Sequence, residues 1–200
     1  MTVRVITGPA PIVTPADVPG GHAADDAQIT ALIAAVQAGI DGPTGWLGRA
    51  LGEQTLELTR AGFHRSIRLP YLPVSEIVGV KYRDADGVEQ TVDIAGYRRA
   101  ADTAVFAPSF AFPATQCSDD AVTIQYKAGY AANAVPASAK QAVILGVQHL
   151  SAMTSDQNLY LRSEEVEGVG TFTYTVSEAA GLVVKAATEM LLGPLRVYWL

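Results

Sequence analysis

Three histidines, His22, His64 and His149, are the side chains in this sequence best placed to move a proton or bind a metal near neutral pH. Metal ligation from a helix needs a second His or a Cys at a spacing such as i,i+4, and none of the three has one. His149 stands one position from Leu150 in an apolar-periodic stretch and reads as a partly buried histidine bonded locally; His64 reads as exposed. The carboxylate pairs Asp119-Asp120 and Glu164-Glu165 could do acid–base work only if one member held a raised pKa. Adjacent residues on a loop or strand point apart, and nothing apolar nearby would raise either, so both pairs are expected to be solvated charge. Gly168-Val169-Gly170 lacks the third glycine and the preceding strand of a dinucleotide fingerprint. There is no P-loop, nucleophile elbow or kinase signature. The expectation is a chain with no catalytic, metal or cofactor site.

Binding chemistry has two better candidates. The tail Leu195, Arg196, Val197, Tyr198, Trp199 and Leu200 is rich in bulky apolar and aromatic residues, whereas terminal segments are normally polar and frayed. It either folds back onto its own core or anchors in a partner, since Trp, Tyr and Arg are enriched at binding hot spots. The stretch from Ser155 to Val176 carries Glu164, Glu165 and Glu167 among glycines, with alternation at Phe172, Tyr174 and Val176; it reads as a mobile acidic loop with one strand. Phe106, Phe110 and Phe112, interrupted by Pro108 and Pro113, could form an aromatic binding patch, but packing of a long loop onto a sheet is the favoured reading.

The composition restricts the classes these residues can belong to. The chain is 49% hydrophobic and only 17% charged, with a mean hydropathy of +0.20, yet no apolar run approaches the ~20 residues of a spanning helix. A soluble protein with a generous core, or with apolar surface that partner subunits cover, is expected. Residues 1–21 hold Pro9, Pro11, Pro15 and Pro19 and no apolar core of signal-peptide type, so they read as an extended arm. A single cysteine, Cys117, allows no intrachain disulfide and fits a reducing compartment. Net charge is −6, and the eight basic residues between Arg49 and Arg99 are matched by seven acids, which leaves no basic footprint for gripping nucleic acid.

From Asp25, apolar residues at Ile29, Leu32, Ile33, Val36 and Ile40 make a helical stripe with Asp25 and Asp26 at its amino end. Asp41-Gly42-Pro43-Thr44-Gly45 breaks it, and Trp46, Leu47, Ala50 and Leu51 suggest a short second helical turn. Residues 54–130 change to strand period. Leu56 and Leu58 alternate with Thr55, Glu57 and Thr59, Ile77 to Tyr82 and Val88 to Ile94 flank Asp86-Gly87 as a hairpin, and Val122, Ile124 and Tyr126 share one face. Pro136 opens a helix running to about Met153. Ser177 is the expected cap of a last helix whose stripe is Ala179, Leu182, Val183, Ala186 and Met190, stopped by Gly193-Pro194.

The order of these features is similar to that of the head-tail connector (adaptor, or head-completion) proteins of tailed phages and phage-like gene transfer particles. The resemblance rests on residues 25–36 (Asp-Asp-Ala-Gln-Ile-Thr-Ala-Leu-Ile-Ala-Ala-Val), Thr44-Gly45, Leu51 to Thr55 and Ile67-Arg68-Leu69-Pro70. It continues through Leu72-Pro73-Val74, Ile77 to Tyr82 with Asp86-Gly87, Ala121 to Tyr130, and Val135-Pro136 leading to Lys140-Gln141-Ala142. Coverage is good from about 25 to 153 and thins to Leu191-Leu192-Gly193-Pro194.

The resemblance implies a mainly α (α+β) subunit, a helical bundle with an inserted small antiparallel sheet. Its expected layout is an arm over 1–24 and one connector domain over 25–200. Within that domain helices fall at about 25–51, 136–153 and 177–192, a β insertion at about 54–130, and the tail at 194–200. It further implies a non-enzymatic virion protein at the head-tail junction, made in the bacterial cytoplasm. Such a subunit forms a ring, commonly of twelve copies, beneath the portal protein, meets a stopper or tail-completion protein, and lets DNA pass without specific binding; it needs no membrane and no cofactor. A negatively charged ring suits a conduit through which a polyanion must slide. The tail residues 195–200 are then the candidates for portal binding, and Glu164, Glu165 and Glu167 for the lumen or the next layer. Two alternatives remain: another virion ring layer, such as a stopper or tail terminator with more sheet and less terminal helix, or a small ligand- or carbohydrate-binding module built on the sheet.

Overall fold

The alternation at residues 54–60 produces a strand with Gln54, Leu56 and Leu58 buried and the residues between them half-exposed. A computed structural model places this strand inside an extensive β-structure; it describes residues 1–154, 163–166, 170–173 and 178–198. The strands are β1 (Thr2–Thr7), β2 (Gln54–Arg60), β3 (Ser66–Arg68), β4 (Val74–Arg83), β5 (Glu89–Thr91), β6 (Tyr97–Ala100), β7 (Thr103–Phe106), β8 (Val122–Ala128), β9 (Ser163–Val166) and β10 (Gly170–Thr173). The helices are α1 (Ala27–Ala38), α2 (Ala137–Thr154) and α3 (Glu178–Leu192).

Two compact units result, one of residues 1–10, 40–135 and 197–200, the other of residues 11–39 and 136–196. In the first, a five-stranded antiparallel sheet runs in the order β1-β2-β8-β4-β5 and a three-stranded sheet in the order β3-β7-β6. Leu56 opposes Tyr126 and Leu58 opposes Ile124 across β2 and β8, and these side chains share one core with Ile67, Ala104 and Phe106 of the smaller sheet. The Tyr126 hydroxyl donates to the Pro70 carbonyl at 3.0 Å, and burial pushes its pKa far above the ordinary phenol value.

The expected helical bundle with a small inserted sheet is therefore wrong: the chain is a β-rich α+β protein. Three local causes account for the difference. Residues 2–7 of the arm form β1, which pairs with β2. The buried residues of β4, Val74, Ile77 and Val80, are spaced by three because the register with β8 shifts twice, between Val74 and Glu76 and between Ile77 and Gly79; such bulges erase the period-two signal of a strand. Finally, the expected second helix at 46–51 is replaced by a 3-10 turn at Gly42–Thr44 and irregular chain.

Asp41 is the reason for that last difference. Its buried carboxylate accepts from the amides of Leu51 at 2.7 Å and Gly52 at 2.8 Å and from Gln54 Nε2 at 2.8 Å. Side-chain acceptors of this kind compete with helix formation by satisfying the amides in another geometry. Leu47, Ala50 and Leu51 are consequently buried without being helical.

Other turns obey the expected chemistry. Gly87, at φ +80°, closes the β4–β5 hairpin by donating to the Asp84 carbonyl at 2.9 Å, while the Asp84 carboxylate accepts from the amides of Asp86 and Val88. In the second unit, Asp26 caps α1 by accepting from Gln28 and Ile29, and Ile29, Ile33 and Gln37 form the buried face of α1. α2 starts directly after Pro136, and Ala139, Ala142, Val143 and Val147 form its buried face.

Candidate functional site

His22 lies 3.4 Å from Asp26, His64 sits beside the Phe63 carbonyl on an exposed loop, and half-buried His149 approaches Gly181 where α2 meets α3. Among the described residues no three His, Cys, Asp or Glu side chains converge as metal ligands do. Asp119 and Asp120 are exposed, as is Cys117.

The aromatic residues of the long loop pack rather than gape. Phe106 is buried, and Phe63, Phe106, Phe110 and Phe112 stack on one another with ring centroids 5.2 to 5.8 Å apart, mostly edge to face. Phe63, Phe106 and Phe110 extend the core of the two sheets, and Phe112 lies at its edge, 44% exposed.

A hollow of about 650 Å³ lies over the outward face of the five-stranded sheet, lined by residues including Arg4, Glu57, Lys81, Glu89, Thr123 and Gln125. Four of its charges form two pairs, Arg4 with Glu57 at 2.7 Å and Lys81 with Glu89 at 2.7 Å. The hydrogen bond between Lys81 and Glu89 raises the lysine pKa and lowers that of the carboxylate, which is the opposite of what a general acid or base requires. This is a solvated face of exposed ion pairs.

The two candidate interaction segments are placed differently. In the tail, Leu195 ends a 3-10 turn at Gly193–Leu195, Arg196 is exposed, and the amide of half-buried Val197 donates to the Leu47 carbonyl at 3.0 Å. Tyr198 is 72% exposed; Trp199 and Leu200 lie outside the described residues. The acidic segment contains an antiparallel pair, β9 with β10, in which Glu164 opposes Phe172 and Glu165 opposes Thr171. Glu167, Tyr174 and Val176 lie outside the described residues.

The apolar stripe of the last helix faces outward: Leu182, Val183, Ala186 and Met190 are exposed on α3. Helical periodicity marks a face but not which side of the helix is covered, and only the excess of apolar residues over what a core of this size uses pointed outward.

Among the described residues the arrangement offers exposed apolar surface on α3 and no cluster of metal-ligating side chains. The chain is similar to one in the neck of a native GTA particle computed with C12 symmetry, at 20% identity and a TM-score of 0.61, covering 100% of this chain and 97% of that one. It is similar to one in the virion of a native gene transfer agent particle at 21% identity and a TM-score of 0.60, and to one in the neck of an empty GTA particle computed with C6 symmetry at 24% identity and 0.59, with the same coverage. A search of the curated proteins gave no match. The model of the family described as Head completion protein matches residues 21–186, and the chain belongs to that family.

Proposed function

We propose that this head completion protein is the adaptor subunit at the head-tail junction of a phage or a gene transfer particle, forming a ring beneath the portal that extends the DNA exit channel toward the tail. The family match over residues 21–186 carries the reading. The likeness of fold to chains from particle necks computed with C12 and C6 symmetry supports a cyclic arrangement, to which we assign twelve copies. A high sheet content does not by itself separate an adaptor from a stopper or tail terminator, so the choice of layer rests on the family.

In this reading the chain is not an enzyme. Its partners are the portal protein on one side, a stopper or tail-completion protein on the other, and neighbouring copies between. The tail from Leu195 to Leu200 docks into the portal, with the Val197 bond to Leu47 setting where it leaves the fold. The segment of Glu164, Glu165 and Glu167 faces the lumen or the next layer, where like charge keeps DNA from adhering. Particles assembled without the chain should have filled heads that carry a portal but no tail. Normal tailed particles in its absence would overturn the reading.

A further inference from the structure

The three helices of the second unit leave two uncharged faces open to solvent. α2 packs against both α1 and α3, which make no comparable contact with each other. On α3, Leu182, Val183 and Met190 are 67%, 68% and 75% exposed, and with exposed Ala186 they fall at i, i+1, i+4 and i+8, one face of the helix. Lys185 and Glu189, also exposed, border this stripe as rim charges do at an interface.

α1 shows the converse surface. It contains no charged residue, and Ala27, Ala31, Ala34, Ala35 and Ala38 are all exposed. The outward side of a helix packed on a core is normally charged or polar. An alanine face is smooth and low, and lets a second helix approach closely, as axes 8–10 Å apart require. Bulky side chains on α3 and small ones on α1 are thus complementary in shape, and they belong to different helices of one chain.

We propose that the Leu182-Val183-Met190 stripe on α3 of one copy seats on the alanine face of α1 of the next copy. This rests on the adaptor reading and specifies the contact between its subunits. Each copy gives one face and receives the other; repeated in one direction, this heterologous contact closes into a ring that covers both faces in every copy, whereas a two-fold dimer built on one face alone leaves the other exposed. The helix order along the ring is α1, α2, α3, then α1 of the neighbour.

The test uses the full-length chain on portal rings. Val183→Glu and Ala35→Glu change exposed positions, so each variant should melt like the parent while its occupancy of portal rings falls at least tenfold. In a Cys117→Ser background, Ala35→Cys with Val183→Cys should give, on mild oxidation, a ladder of crosslinked multimers that neither single cysteine variant gives. Parental occupancy by both glutamate variants would overturn the proposal. Loss of occupancy without a ladder would mean that these faces meet the portal and would overturn the second copy as occupant. A parent chain that does not bind portal rings at all would instead overturn the adaptor reading, and this inference with it.

Discussion

The amide of Val197 donates to the carbonyl of Leu47 at 3.0 Å, and Leu47 is fully buried. The tail is therefore attached to the sheet-containing unit up to one residue before Tyr198, whose side chain is largely exposed. A chain ending at Val197 should keep the parental melting temperature and lose portal affinity by about tenfold or more, the loss expected when an aromatic anchor is removed. Equilibrium binding to immobilised portal rings measures this, and unchanged affinity would remove the tail from the docking surface.

Asp41 should be among the most costly positions to change. Asp41→Ala strands two backbone amides and the Gln54 side-chain amide in a buried site, and should lower unfolding free energy by about 3 kcal/mol or more. Urea denaturation gives the value. A loss below about 1 kcal/mol would show that water replaces the carboxylate.

Gly146 fixes how closely α1 and α2 approach. A Cβ there would lie 2.7 Å from Cγ1 of Val36, a stiff side chain with little room to yield. Gly146→Ala should cost about 1–3 kcal/mol despite the higher helix propensity of alanine. The double variant Gly146→Ala with Val36→Ala should cost less than the two single changes added together. Strict additivity in that cycle would contradict a direct contact.

Acid should weaken the fold through capping carboxylates. The Asp26 carboxyl is held below its ordinary pKa chiefly by the hydrogen bond from the Ile29 amide, and that of Asp84 chiefly by the hydrogen bond from the Gln90 side chain. A group whose folded pKa is depressed stabilises the fold above its unfolded value, near 3.8 here, and that contribution is lost as pH falls through the folded value. Stability should thus be level above about pH 5 and decline below about pH 4. Asp26→Asn should make the decline shallower; an identical acid limb in the variant would exclude Asp26 as a contributor.

Legibility in the sequence depends on how local each signal is. The α1 stripe with its Asp26 cap, the Asp86-Gly87 hairpin and the helix after Pro136 depend on neighbours within a few residues, and each stands close to where its pattern places it. The hidden features depend on long-range partners. β1 becomes a strand only by pairing with β2, some fifty residues away, and β4 hides its period behind two bulges. Asp41 looks like part of a break because its amide partners lie ten or more positions on. Among the candidate surfaces the tail stands out by composition alone. The outward stripe on α3 is visible as a stripe but not as a surface, since a lone chain does not say which face a neighbour covers.

The most direct test of the adaptor reading is co-sedimentation of the purified full-length chain with portal rings from the same source, with the chain also run alone. The protein should be largely monomeric in dilute solution and saturate the portal at one copy per portal subunit. Failure of the full-length chain to sediment with the portal, or a stable ring of the chain that forms without it, would contradict the account.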